Sequence, residues 1–447
     1  MSLLTLAEED LQRGAEKLGQ IAGAVKANPA HRQVIAATAE YLRESEEKLI
    51  AHLRGEEPHP DSPGRVEFGA VLHHLHQVSA FSGIDPQLLG LPEARLSEEH
   101  MALAQARGCL PRAASDGSLI GFGKWESFDP GWIGSLGTYI LLKIGEIKLH
   151  PFAPAPKPVP LPAAGPITIA IVGDWGTGSW NDGSETPPSI AVMNQIVKLK
   201  PNYTIHLGDV YYAGTKAEED ANYVKFWQAA TDGNFMLNSN HEMYDGANGY
   251  FDIGLADAPF VKQQSSSCFA LMNDHVAIVG LDSAYGDTSV LFEKGGIPSS
   301  SPQIPYVKGL NLGNRKLIVL THHNGLSTTG QQTTGLWQDM YVALGNRYPD
   351  IWYWGHIHNG IIYKPRTETV NGQQVTVLVR CSGHGAIPFG NGSGIMPPGY
   401  VTYYAHTPNP AAPPAGLRVM NGFTVLTIDG ANVSEVWYDQ DGNKAWP

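Results

Sequence analysis

The sequence predicts a layered α/β protein preceded by a mostly helical domain. Three observations carry this reading. A helical apolar period runs through the first 150 residues, a proline-dense stretch occupies 150–166, and after it come short β-rich runs that each end in a polar cluster. At 447 residues the chain is too long for one ordinary core, so two domains are expected. The boundaries fall at 1–149 for the helical domain, 150–166 for a linker and 167–447 for the α/β domain.

Leu11, Leu18, Ile21 and Val25 share a face of the first predicted helix; Val34, Ile35, Tyr41, Leu42, Leu49, Ile50 and Leu53 continue on a second. Asn28-Pro29 between them reads as a start signal, with asparagine as cap and proline at the first helical position. The segment EEPHPDSPG breaks the pattern, and Val66, Val71, Leu72, Leu75 and Val78 resume it. His73, His74 and His76 lie close together there with no carboxylate at metal spacing, so they read as surface or packing residues. WIGSLGTYILLKIG (132–145) is interrupted by Gly134, Gly137 and Lys143 and is too short to cross a bilayer; it predicts a buried helix. In 150–166 proline recurs almost every second residue, which favours an extended, semi-rigid spacer. No repeat of solenoid period is present.

Beyond the linker, ITIAIVGD, NYTIHLGD, NFMLNSNHE, VAIVGLDS, KLIVLTHH, IWYWGHIH and VTVLVRCSGHG read as strands, with helical stretches such as SIAVMNQIVKLK and EEDANYVKFWQAA between some of them. This pattern suggests sheets whose strand C-termini face the same way, the side on which open α/β sheets bind ligands.

The bulk numbers exclude several function classes. A formal charge of −13 disfavours a general grip on nucleic acid, and an anionic substrate would need local cations to offset that field. Cys109, Cys268 and Cys381 are too few and too scattered for a disulfide framework or a thiolate zinc site. The opening MSLLTLAEEDLQ lacks a basic segment before its apolar residues and turns acidic at Glu8, so it does not read as a secretory signal. The expectation is a cytoplasmic protein without a membrane partner.

Chemistry concentrates at five strand ends. In order they carry Asp174; Asp209 with Tyr212; Asn240 with His241; His322 with His323; and His356 with His358. Oxygen donors come first, an amide lies in the middle and imidazoles come last, a mixed set that suits iron, zinc or manganese. Donors in this number, with a carboxylate free to bridge, point to two ions about 3.5–4 Å apart.

At these residues the chain resembles the dinuclear metallophosphoesterases, and within them the purple acid phosphatases. Their pattern D-x-G, G-D-x-x-Y, G-N-H-D/E, V-x-x-H, G-H-x-H is matched in order by DWG, GDVYY, SNHE, VLTH and GHIH, with Ser239 in place of a glycine. The resemblance covers roughly residues 167–443 and implies a four-layer α/β/β/α sandwich. It also implies that a ferric ion takes Asp174, Tyr212 and His358, that a divalent ion (iron, zinc or manganese) takes Asn240, His322 and His356, and that Asp209 bridges the two. On this reading Gly176, where related enzymes have a ligating histidine, leaves a vacancy that Tyr212 fills.

The implied activity is hydrolysis of a small phosphorylated substrate, a phosphate monoester. His241 would stabilise the transition state or act as general acid, oriented by Glu242. His323 and His384 are further candidates for substrate contact, and His206 reads as a hydrogen-bonded core residue. A further histidine that eukaryotic relatives use on substrate phosphate is replaced here by Gln331 and Gln332. Two alternatives stand beside this one: a phosphodiesterase with the same metal cradle, acting on cyclic nucleotides or lipid head groups, and a binding or assembly protein with a vestigial metal site. For the N-terminal helices the candidates are homo-oligomerisation and covering the active-site mouth.

Overall fold

The computed structural model describes residues 8–62, 64–106, 111–153, 155–396, 399–414 and 416–447. The first two apolar periods form the helices Glu8–Ala27 and His31–Arg54. Asn28 does not sit at the capping position expected of it. Its side-chain oxygen accepts from the Ala30 N–H at 3.2 Å, a local turn that leaves the next helix to start at His31. The third period becomes the helix Val71–Ser82, and 132–145 holds the buried helix Trp132–Lys143. The histidines of the third helix pack as expected: His74 bonds the Phe128 carbonyl at 3.2 Å and His76 the Pro92 carbonyl at 2.7 Å.

The helical region has a small core of its own around Leu49, Leu53, Val66 and Phe128, but most of its apolar residues pack into the α/β part. Leu18, Ile21, Leu72, Leu136 and Ile140 belong to one apolar cluster with Val172, Trp175, Tyr211 and Tyr244 of the α/β part. Within the proline-rich stretch, Val159–Pro160 pairs in parallel with Leu271–Met272, so this segment enters a sheet as well as spanning a gap. Proline is tolerated there because an edge strand has one side without ladder partners.

Two sheets lie face to face. In one the order is Lys444–Trp446, Asn432–Asp439, Gly422–Asp429, Ile167–Val172, Tyr203–His206, Gly233–Met236. In the other it is Val401–Tyr404, Gly360–Tyr363, Gln373–Ser382, Ile351–Trp354, Lys316–Leu320, Val276–Gly280, Phe269–Met272, Val159–Pro160, with Arg366–Val370 hairpinned onto Gln373–Ser382.

Period-two alternation explains the stacking. Ile169, Ile171, Ile278, Ile318, Ile351 and Tyr353 fill the space between the sheets. Their neighbours turn outward: Ala170 and Val172 toward the helix Pro188–Leu199, and Val279, Leu317, Val319, Trp352 and Trp354 toward the helices Gln303–Gly309 and Gly335–Ala343. The result is helix, sheet, sheet, helix, as expected. Ile167–Val172, Tyr203–His206 and Gly233–Met236 are mutually parallel, and so are Val276–Gly280, Lys316–Leu320 and Ile351–Trp354; their C-terminal ends carry the predicted donors. Cys268 and Cys381 are free and buried, and Cys109 lies outside the described residues.

Candidate metal centre

Each donor sits where a strand stops and the chain must turn sharply. Asp174, Asp209, His356 and His358 all have positive φ, at 55°, 78°, 68° and 54°. A non-glycine residue in that region is strained by of order 1 kcal/mol or more, and such strain clusters at functional sites. Gly176 allows one of these turns: a Cβ there would lie 2.6 Å from the Asp209 carbonyl oxygen and from the Val210 Cα. Close backbone approach therefore accounts for the glycine of DWG.

The side chains gather into two adjoining groups. In the first, His358 Nε2 is 3.5 Å from Asp174 Oδ1 and 3.4 Å from Asp209 Oδ2. In the second, His322 Nε2 is 2.9 Å from Asn240 Oδ1 and 3.2 Å from His356 Nδ1, and His356 Nδ1 is 3.2 Å from Asn240 Oδ1. Asp209 faces both, with Oδ1 at 3.2 Å from His322 Nε2. His322 Nδ1 bonds the Leu207 carbonyl at 2.8 Å, which leaves Nε2 as the lone pair that points at the group. The oxygens Asp174 Oδ1 and Asp209 Oδ1 are buried without a hydrogen-bond partner. Orphaned carboxylate oxygens beside converging imidazoles are what cation ligands look like when only the protein's own atoms are considered, so the residues fit a metal pair.

Electrostatics agree. Burial pulls His322 and His356 well below the usual histidine range, toward the neutral form in which imidazole is a ligand. Burial, reinforced by the Asp209 charge, raises Asp174. For Asp209 burial pushes upward too, but His322, His241 and His358 outweigh it and hold the carboxyl low. One carboxylate is thus kept ionised between the two groups.

The tyrosine differs from the expectation. Tyr212 is turned away: its hydroxyl donates to Asp129 Oδ2 at 2.6 Å, and its ring packs edge-on against Trp132. The phenol at the first donor group is Tyr211, fully buried, with its oxygen 2.8 Å from Asp209 Oδ2 and 3.0 Å from His358 Nε2. Tyr211 and Tyr212 lie in a turn from which the two side chains leave in different directions, and only Tyr211 faces the first donor group. The D-x-x-Y spacing points to Tyr212 instead. Asp129, which holds Tyr212, comes from the helical region and carries no motif.

The other expected residues divide. His241 is buried beside the site, its ring 4.7 Å from that of Tyr211, and its Nδ1 donates to the Tyr212 carbonyl at 2.6 Å, so any proton it transfers runs through Nε2. Glu242 does not orient it; that carboxylate accepts from Ser239 Oγ, while Ser239 also takes the His241 N–H at 3.0 Å as the cap of a short turn. The serine in the family's glycine position thus builds the turn and removes no donor.

His323 lies close to His322 and His356, but it is not available to substrate. Its Nδ1 bonds Ser283 Oγ at 2.8 Å and its Nε2 the Phe292 carbonyl at 2.7 Å. His384 does not reach the site. It is buried against Trp437, ring centroids 5.7 Å apart, and burial lowers it to about 3. A strand-end position suggested a ligand-facing side chain, yet this one turns inward. His206 is likewise a core residue, but packed between Tyr223 and Trp227 rather than hydrogen-bonded; burial lowers it to about 3.

A cavity of about 860 Å³ opens onto the donors through His356 and His358. Its other wall comes from the N-terminal region: Tyr41, Lys48 and Trp132 on helices, and Arg65, Asp116 and Trp125 on the segments between them. Arg65 reaches deepest, with Nη2 at 2.9 and 2.8 Å from the two ring nitrogens of His356 and 3.2 Å from its carbonyl. It follows a proline–glycine break with no motif around it, and sequence reasoning had no signal for it.

Residues 167–360 match the family model of the calcineurin-like phosphoesterases. The chain is similar to three solved structures, each over 63% of its length. GAP50, the anchor in the inner membrane complex of Plasmodium, is 13% identical with 87% of its chain covered and a TM-score of 0.43. Purple acid phosphatase PPD1 from yellow lupin (Lupinus luteus) seeds is 15% identical with 53% covered and a TM-score of 0.41. A predicted phosphoesterase from Streptococcus pneumoniae is 10% identical with 94% covered and a TM-score of 0.26. No curated protein matches the sequence. The matched residues 167–360 supply every donor, and the helical region supplies one wall of the cavity that leads to them.

Proposed function

We propose that the protein hydrolyses phosphate monoesters at a two-metal centre, with a trivalent iron held by Asp174, Tyr211 and His358 and a divalent ion held by Asn240, His322 and His356. The observation that carries this reading is the placement of Asp209, whose two carboxylate oxygens face the two donor groups separately. Bound there, the ions would supply Lewis acidity to a phosphoryl oxygen and would acidify a water.

The chain's own residues do the rest. Tyr211 offers a hard phenolic oxygen to the carboxylate-rich group, which favours a trivalent ion over a divalent one. His241, with Nδ1 fixed by the Tyr212 carbonyl, holds Nε2 ready to pass a proton to the departing oxygen. Trp125 and Trp132 wall the cavity and limit water around the reacting group.

The test compares nitrophenyl phosphate with bis(nitrophenyl) phosphate on protein supplied with iron and zinc or manganese. Monoester turnover that is lost on chelation, with kcat/KM at least tenfold above the diester, supports the reading. Preference for the diester replaces it with the phosphodiesterase, and no turnover by protein holding two ions replaces it with an assembly role.

A further inference from the structure

Arg65 is a buried cation placed against a predicted metal ligand. Its side chain is 15% exposed. Burying a guanidinium is expensive unless its N–H groups find partners. Two of them do: Nη1 lies 3.0 Å from Glu67 Oε1, and Nε lies 2.5 Å from Glu293 Oε2. These carboxylates come from different parts of the chain, Glu67 from the helical region and Glu293 from a loop of the phosphoesterase domain, and between them they fix the plane of the fork. The remaining nitrogen, Nη2, is left facing His356 and the donor groups behind it.

Its one ordinary acceptor there is the His356 carbonyl at 3.2 Å; the ring is a poor partner. The ring nitrogens of His356 are those that ligation or its own hydrogen bond to the Glu293 carbonyl (3.0 Å) would occupy. A cation cannot keep this contact beside a metal ion on the same ring. Arg65 also lines the cavity, so a nitrogen released from the ring has the cavity to face. With Nε and Nη1 held by carboxylates, the best partner for the N–H groups still facing the cavity is an anionic oxygen. Among the described residues the other cations that line the cavity are Lys48 and Lys294; Lys48 is spent on Asp116 at 3.0 Å.

We infer that Arg65 is a phosphate-recognition residue delivered to the metal centre by the helical region, and that it takes the terminal oxygens of a monoester dianion, the phosphoryl oxygens that face the cavity. The inference rests on the monoester reading of the site but has its own readout. A diester has one fewer terminal oxygen to offer, so Arg65 favours the monoester over the diester.

The experiment titrates inorganic phosphate into the full-length, metal-loaded protein by calorimetry, for wild type, Arg65→Ala, Arg65→Gln and Arg65→Lys. Metal content is measured on the same samples. The expected result is unchanged metal content and a phosphate Kd raised about 10- to 100-fold in the Ala and Gln forms, with Lys between them and wild type. Arg65→Gln preserves length and a polar end, so a folding defect confined to Arg65→Ala does not decide the matter. Phosphate affinity that is indifferent to Arg65, or loss of metal in all three variants, overturns the assignment. Arg65-dependent phosphate binding by a protein that cleaves no monoester would sink the monoester reading and leave this assignment in place. Monoester turnover with Arg65-independent phosphate binding would do the reverse.

Discussion

The two donor groups share Asp209 and differ in almost everything else. Asp174, His358 and Tyr211 form a carboxylate- and phenol-rich group closed by strand ends of the sandwich. Asn240, His322 and His356 form an amide- and imidazole-rich group, roofed by Arg65 and Glu293. Hard anionic oxygens and neutral nitrogens prefer different cations, so the donors suit the pair of unlike ions proposed for them. The difference also separates labour within the chain. The sandwich makes both donor sets, and the helical region meets the second through Arg65 and the first through Trp125, whose ring lies 6.1 Å from that of Tyr211.

The largest effects come from emptying one group at a time. His322→Ala should lose the second ion and keep the first, and Asp174→Ala the reverse. Either should cut turnover by more than the roughly 10- to 100-fold typical of losing a residue that merely supports a ligand. Metal analysis beside kcat checks this. Loss of both ions in both variants would mean a single cooperative site, and the comparison would break.

The tyrosine pair sharpens it next. In iron-loaded, oxidised protein a phenolate on ferric iron gives a broad visible band. Tyr211→Phe should abolish that band, whereas Tyr212→Phe should keep it. Tyr212→Phe should instead cost about 1–3 kcal/mol in a denaturant melt, because the buried carboxylate of Asp129 loses a donor. A band that survives Tyr211→Phe and vanishes in Tyr212→Phe would restore the assignment drawn from the D-x-x-Y spacing.

The smallest effect concerns the wall around the second group. His74 is buried in the helical region, bonds the carbonyl of Phe128 next to Asp129, and is lowered by burial to about 4 from an ordinary 6.5. As pH falls below 6.5 the unfolded chain takes the proton before the folded one does. Stability is therefore complete above about 6.5, declines between 6.5 and 4, and levels off below 4, by at most about 3 kcal/mol for this one group. His74→Gln should flatten the pH dependence of the melting midpoint in that window. An unchanged slope would show that other buried histidines carry it.

Much of this was legible in the sequence. Short apolar runs with period two and polar ends located the strands, and of the seven residues expected to hold metal the structure brings six together: Asp174, Asp209, Asn240, His322, His356 and His358. What misled was direction. Spacing says which residues stand at a strand end but not which way a side chain turns, and so Tyr212 was preferred to Tyr211, while His384 was given a site that its ring does not face. What was invisible was long-range. Arg65, Asp129 and Glu293 reach the centre only through tertiary packing between segments far apart in sequence, and no local pattern around them encodes the partner.

The central claim is that Asp209 alone joins two metal-holding groups, and elemental analysis of wild type beside Asp209→Ala tests it most directly. The account predicts two ions per chain in the full-length protein, and fewer than one in the variant with its fold intact by circular dichroism. A wild-type ceiling of one ion under iron and zinc supplementation, or a variant that keeps both, would contradict it.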